Sequence, residues 1–487
     1  MIHQNKPKSI TFASWNILAD GLSQGEFMSA EGDGPLDWKQ RGLCVTKVLE
    51  DMFEQGVGIV ATQENDHYFS LLQKLQEKNP NIDGLFCVSN IDKLSIAEEC
   101  YARRNTERGH DKQRPNKDAS NGDVSRYVQD LYVNIQNNGD IATFQDEHVP
   151  YSFVKSRMET LGLLDITSTD SYLCPDGLGV YYDTTQFMFI RAHSYASILC
   201  DKVYEYNQKC CFLEFVHLQS NVRFLVVSAH LKSGENAKAE TTRCEQLKYI
   251  FDTTEQILHL TSSFNEIILP IVLMDSNTNK MYQEIARQQN ENMETTHHVI
   301  RHFEYTDIIQ EKHKCVKMRH AGGEQPSKLG TLMVDGIDKV MVPCRYQNAF
   351  TMSKIKLNAF IPICKQALDT LSYLRANKDK RDTLKQFVIH NECRDCMQDN
   401  WHRICELSDV DKNKWETSLG CSTDELCGAL MQLYPNSGSP SDHPPVLVDC
   451  DWIRASELYY LNVSCVNEFT CMLFAIFIVL LCLCVYC

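Results

Sequence analysis

The chain has 487 residues, 43% of them hydrophobic and 23% charged, an ordinary balance for a soluble body with a sizeable core. Its formal net charge of -16 disfavours long-range attraction to nucleic acid, which needs a basic face, although a local groove can still concentrate positive potential. The 22 cysteines could build a disulfide framework, but Met1–Lys8 is polar and lacks a secretory apolar core, so the thiols read as reduced, with Cys44 and Cys211 as core fillers.

Ser9 to Leu18 alternates as a half-buried strand. After a Gly-rich acidic loop, Asp37-Trp38-Lys39-Gln40 reads as a capping-box helix start, continued at helical spacing by Arg41, Val45, Val48, Leu49, Met52 and Phe53. Gly56 and Gly58 stop that helix, and Ile59–Thr62 enters a second strand. Residues 89–145 are polar and densely charged with both signs, which predicts a surface insertion. Strands resume at 179–182 and 187–190 around an Asp183–Gln186 turn, then at 211–218 and 222–231 around Gln219–Asn221. A helix is expected over 237–260, a buried strand over 267–274 and another over 338–342. A second, helical insertion is expected over 347–432, before a last strand at 446–448. Tight-turned strands mixed with crossover helices predict an α/β fold of two packed mixed sheets with helices outside.

The run 471–487 carries no charge and is apolar on every side. It is short for a spanning helix yet suits a thin bilayer. A catalytic body over 1–465 and a tail over 466–487 are therefore expected, with the tail anchoring the body to the cytoplasmic face of an intracellular membrane. Cys482, Cys484 and Cys487 are also candidates for acylation.

Polar residues close the apolar strands: Asn16, Glu64, His230, Asp275 with Asn277, and Asp442 with His443 before the last strand. Asp338 opens its own strand. Each alone reads as a turn residue, but all six positions carry carboxylate, amide or imidazole. Phosphoester hydrolysis needs that set. A hard divalent cation, Mg2+ or Mn2+, takes carboxylate ligands, here Glu64 with Asp442 assisting. Asp275 is placed to orient or deprotonate a water. Asn16 and Asn277 orient ligands without adding charge. His230 and His443 donate to developing negative charge, and Asp338 sets the His443 tautomer. The sequence holds no Ser or Cys nucleophile motif and no Walker-type glycine loop, so direct water attack is the simpler mechanism.

Trp15–Ala19, Leu36–Arg41, Gln63–Phe69, Pro175–Val180, Ala229–Lys232 and Pro440–His443, in that order, resemble the endonuclease/exonuclease/phosphatase superfamily, in its deadenylase and nocturnin-like branch. The resemblance covers nearly the whole body outside the insertions and tail. It implies a four-layer α/β/β/α sandwich of the DNase I-like type. It further implies metal binding by Glu64, phosphate contact from His230 and catalytic roles for Asp275, Asn277, Asp338 and His443. Lys155 and Lys232 match basic substrate-contacting positions. The branch's next arginine is Gly234 here, and Arg243 is its candidate replacement. The usual Gly-Asp-Phe-Asn is Met274-Asp275-Ser276-Asn277, so this strand end must pack differently.

The expected activity is 3′–5′ exoribonuclease action on an RNA 3′ end. A 2′-phosphatase acting on NADP(H) is the nucleotide alternative, and the acidic balance favours such a compact substrate. A membrane-associated phospholipid or sphingomyelin phosphodiesterase, and an inactive tail-anchored binding protein, complete the alternatives. Cys393, Cys396, His402 and Cys405 resemble a compressed zinc site, or else pack helices. Arg103-Arg104 and Lys378–Arg381 read as solvated basic faces.

Overall fold

The computed structural model describes residues 9–19, 27–28, 37–65, 67–88, 177–194, 209–261, 268–309, 315–319, 332–376, 379–380, 383–384, 408–430, 432, 434, 436, 438–454 and 456–457. The expected insertion at 89–145, Lys155, the Cys393–Cys405 cluster and the 471–487 run lie outside them.

In chain order, the first half contributes β1 (Ser9–Asn16), β2 (Phe27–Met28), α1 (Trp38–Glu54), β3 (Val57–Gln63), α2 (Tyr68–Lys78), β4 (Ile82–Val88), β5 (Gly177–Asp183) and β6 (Phe187–Ser194). There follow β7 (Lys209–His217), β8 (Arg223–His230), α3 (Ala237–Thr261), β9 (Ile268–Asp275), α4 (Lys280–Gln289), α5 (Thr296–His302), β10 (Tyr305–Asp307), β11 (Cys315–Arg319), β12 (Leu332–Asp335) and β13 (Asp338–Pro343). The chain then forms β14 (Phe350–Met352), α6 (Lys365–Ala376), α7 (Asp409–Leu419), α8 (Thr423–Leu430) and β15 (Val446–Asp451).

Two six-stranded mixed sheets result, ordered β14-β15-β1-β3-β5-β4 and β10-β13-β9-β8-β7-β6. Side-chain alternation on β1 shows why they stack. Ile10 and Phe12 enter the core between the sheets, whereas Ala13 and Trp15 pack against α1 and α2. Phe12 meets the ring of Phe224 from the other sheet at 5.1 Å and that of Phe187 at 6.0 Å, centroid to centroid. Truncating so enclosed a ring to alanine costs about 3–5 kcal/mol. On the outside of the second sheet, α3 buries Leu247, Ile250 and Phe251 against Leu225, Val227 and Met274. The architecture is the α/β/β/α sandwich expected.

Each sheet contains one parallel strand pair joined by a helical crossover: β1–α1–β3 in the first and β8–α3–β9 in the second. Parallel pairing brings both strands of a unit to an end together. Asn16 is therefore level with Gln63, and His230 with Asp275. A third, small sheet, β12-β11-β2, joins the loop after β1 to the hairpin that precedes β13.

Three local expectations change. Asp37 caps α1 by accepting from Lys39 N at 3.2 Å, two residues on, and not through the reciprocal box. Gly58 lies inside β3, where a Cβ would collide with the Phe187 ring, and Gly56 (φ 88°) alone makes the turn. The second insertion does not begin at 347, because Phe350–Met352 pairs with β15 as part of the first sheet. Among the described residues no helix is long and apolar enough to cross a membrane. Cys44, Cys210, Cys211, Cys244, Cys344, Cys364, Cys421, Cys427 and Cys450 carry free thiols, with Cys211 buried and Cys44 half-buried.

Candidate active site

The site forms where the ends of β1, β3, β8 and β9 meet the start of β13. Register places Asp338 level with Asp275, and Asp275 level with His230, so three strands of one sheet present three ionisable groups in a row. From the facing sheet come Asn16 and Glu64. Asn16 is wholly buried, and its Nδ2 donates to Glu64 Oε1 and to Asp275 Oδ2, both at 3.0 Å. One amide thus holds a carboxylate from each sheet. Glu64 Oε2 accepts from Ala19 N at 3.2 Å.

His443 reaches the same place from the segment before β15. Its Nδ1 lies 2.9 Å from Asp338 Oδ2, and its Nε2 lies 3.7 Å from Asp275 Oδ2. His230 Nε2 sits 3.7 Å from Asp275 Oδ2 and 3.8 Å from Glu64 Oε1. Asn277 donates its backbone N–H to Asp275 Oδ1 (2.9 Å) and its side-chain amide to Leu231 O (2.9 Å). Glu64 and Asn277 have φ of 53° and 50°, a left-handed backbone that costs non-glycine residues about 1–3 kcal/mol and concentrates at functional sites.

Burial pushes the Asp275 carboxyl upward, but His443, His230, Asn16 and the Asn277 N–H together hold it below the usual carboxylate range. It is therefore ionised at neutral pH. The ammonium of Lys232 is shifted down, first by burial and then by Arg243 and Lys238.

Glu64, His230 and Asp275 bring one ligand atom each within 4.8 Å of one another, as do Asp275, Asp338 and His443. Hard carboxylate oxygens pressed together on a shared amide fit Mg2+ or Mn2+. Asp442 does not join Glu64 in either group. It is buried beside the imidazole, with Oδ2 3.5 Å from His443 Nε2, because it directly precedes His443.

Arg243 is corrected. It is fully buried and paired with Glu240 at 2.8 Å, and its Nη1 donates to Lys232 O and Gly234 O. A side chain so enclosed holds the loop after β8 and does not replace a substrate-facing arginine at Gly234.

Residues that sequence reasoning left out complete the frame. Trp15 Nε1 donates to His443 O at 2.8 Å, and Ser441 Oγ donates to Asn16 O at 2.5 Å. Both adjoin a chosen site residue, which was the available signal. Ser276 takes the place of the expected aromatic, and its Oγ donates to Ile337 O at 2.5 Å, tying the end of β9 to the turn before Asp338. Arg41 donates to Ile17 O and Leu18 O at 2.8 and 2.7 Å.

No family model matches the chain, and no curated protein does. Among solved structures, the chain is similar to the human nocturnin catalytic domain with bound sulfate, at 15% identity over 72% of this chain and 88% of that one, with a TM-score of 0.35. It is similar to ANGEL2, a 2′,3′-cyclic phosphatase, in complex with adenosine-2′,3′-vanadate (9% identity, 91% and 95% covered, TM-score 0.43). It is also similar to truncated Caenorhabditis elegans TDP2 (10% identity, 91% and 97% covered, TM-score 0.38). At these identities and TM-scores they are likenesses only, and the two-sheet sandwich is read from the strand pairing of this chain itself.

Proposed function

We propose that this chain, with its two-sheet sandwich and this cluster, belongs to the endonuclease/exonuclease/phosphatase superfamily and is a divalent-metal-dependent phosphoesterase, acting as a 3′–5′ exoribonuclease of the deadenylase type by direct attack of water. One observation carries the reading. Asn16, Glu64, His230, Asp275, Asp338 and His443, which lie far apart in sequence, meet within hydrogen-bonding or ion-pairing reach of their neighbours.

Glu64 and Asp275 would hold the Mg2+ or Mn2+, which when bound neutralises charge on the phosphoryl oxygens. The remaining chemistry belongs to the chain. Asp275, kept anionic by its neighbours, orients and deprotonates the attacking water. Asn16 and the Asn277 N–H each hold one oxygen of that carboxylate. Asp338 accepts from His443 Nδ1–H, so Nε2 faces the cluster and, protonated, donates to developing charge. His230 Nε2 does the same from the other side. Lys232 offers a cation to a substrate phosphate. Lys155 is a second candidate of this kind, and Asp442 is kept as an outer partner of the ion through water.

The net charge of -16 favours a compact anion over a long polyanion, which supports NADP(H) 2′-phosphatase activity as the second reading. The charge-free run at 471–487 supports attachment of the body to the cytoplasmic face of an intracellular membrane.

The test offers oligo(A), other RNAs, NADP(H) and sphingomyelin to the full chain with Mg2+ or with EDTA. Mg2+-dependent shortening of oligo(A), abolished by Asp275→Ala, is expected. Phosphate release from NADP(H) with oligo(A) untouched overturns the first reading in favour of the second.

A further inference from the structure

The two parallel crossovers share more than topology. In β1–α1–β3, the loop leaves the strand through Leu18 at φ 61°, and in β8–α3–β9 it leaves through Gly234 at φ 122°. Backbone of this hand leaves the strand ladder, and the carbonyls so freed need other donors. Both loops are satisfied in the same way. A buried arginine on the crossover helix directs a single Nη1 at two carbonyls: Arg41 at Ile17 O (2.8 Å) and Leu18 O (2.7 Å), Arg243 at Lys232 O and Gly234 O (both 2.8 Å). Arg41 is 1% exposed and Arg243 is 0% exposed, so neither reaches a substrate.

Each arginine makes a further contact of its own. Arg41 stacks over the Trp38 ring at 4.9 Å, and Trp38 in turn lies flat on His67 at 3.6 Å, just beyond Glu64. Arg243 pairs with Glu240, which also accepts from Thr278 Oγ1 and from Thr296 N and Oγ1.

What each loop serves also differs. The loop held by Arg41 presents Leu18 N to Asn16 Oδ1 (2.9 Å) and Ala19 N to Glu64 Oε2 (3.2 Å). The loop held by Arg243 presents Leu231 O to the Asn277 amide (2.9 Å) and carries Lys232. We infer that Arg41 and Arg243 are paired positioning residues, Arg41 setting the cation ligand Glu64 and Arg243 setting the substrate-facing loop at Lys232. The assignment rests on the cation reading of the site given above, and it makes the two arginines separable.

Lysine keeps the charge but is shorter and has one nitrogen, so it cannot hold the two carbonyls and the Trp38 or Glu240 contact at once. The full chain and its Arg41→Lys and Arg243→Lys variants are titrated with Mn2+ alone by calorimetry, with no substrate present. Amide hydrogen exchange is then read at Ala19 and Lys232. Arg41→Lys is expected to weaken Mn2+ binding about tenfold and to speed exchange at Ala19 only. Arg243→Lys is expected to keep Mn2+ affinity within about twofold and to speed exchange at Lys232 only. Equal Mn2+ affinity in Arg41→Lys and wild type, or equal weakening in both variants, overturns the inference. Should Arg41→Lys fail to fold, the wild-type chain decides: Mn2+ slows exchange at Ala19 and leaves Lys232 unchanged if the inference holds, whereas the same response at both amides contradicts it. Failure of the wild type to bind Mn2+ at all would instead remove the cation reading itself.

Discussion

Asn16 and Asp275 are joined by a buried hydrogen bond of 3.0 Å, Nδ2 to Oδ2, that links the end of a central strand in one sheet to the end of a central strand in the other. The same nitrogen also serves Glu64. Hydrogen bonds to charged groups contribute about 1.5–3 kcal/mol, so Asn16→Ala is expected to slow hydrolysis by roughly 10- to 100-fold. Asn16→Asp should be worse, since it replaces a shared donor by a third negative charge. Steady-state rates for the two variants, with circular dichroism confirming folding, check the order.

The imidazole of His443 is held by Asp338 at Nδ1. Asp338→Asn keeps the shape but offers an amide that can present N–H to the ring, which removes the preference for the productive tautomer. A loss of about 10²- to 10⁴-fold in kcat is expected, as for a general acid or base put out of action. Unchanged kcat in this variant would remove His443 from the proposed chemistry.

Glu240 binds Arg243, Thr278 and Thr296 at once, wholly out of solvent. Removing one partner of a buried pair leaves the other charged and uncompensated, so Glu240→Ala should lose about 3–5 kcal/mol. Urea unfolding of variant and wild type measures the difference.

His193 supplies a pH dependence away from the site. Burial first, then Arg191 and Arg223, push its pKa down from 6.5 to about 4, while the adjacent Glu214 is already engaged by both arginines. The unfolded chain therefore binds this proton more readily than the folded one. Stability from the neutral ring is complete above about pH 6.5, falls as pH drops below it, and is gone below about pH 4, a total of about 3 kcal/mol. His193→Gln should flatten that part of the stability profile in chemical denaturation at pH 4–7.

The polar cluster was legible because apolar runs such as Phe224–Ala229 and Ile271–Met274 end abruptly in His230 and Asp275, and a buried strand has one obvious place for such groups: its end. The layers were legible from alternation and turns. Pairing was not, since nothing local states that Asp338 lies level with Asp275 across antiparallel strands. Arg243 was misread for a related reason: a basic residue on a helix looks available until its partner Glu240, one turn away, is seen buried with it. Arg41 had the apolar spacing of a core position without an apolar side chain, and the carbonyls of Ile17 and Leu18 account for its burial. The small sheet formed by β2, β11 and β12 joins Phe27–Met28 to Cys315–Arg319, segments far apart in the chain whose pairing no local pattern announces.

The proposed membrane attachment makes a cellular prediction. A fluorescent fusion lacking Cys471–Cys487 should become diffuse, whereas the intact fusion decorates an intracellular membrane. Retention of the truncated protein on the same membrane refutes the proposal.

The rate of phosphoester hydrolysis by metal-stripped full-length protein, followed as Mg2+ is added back beside Glu64→Ala, tests the central claim most directly. The account predicts no turnover without the ion, saturable recovery in the wild type, and no recovery in the variant at the same Mg2+ concentrations. Turnover that persists in EDTA, or a variant that recovers like the wild type, would contradict it.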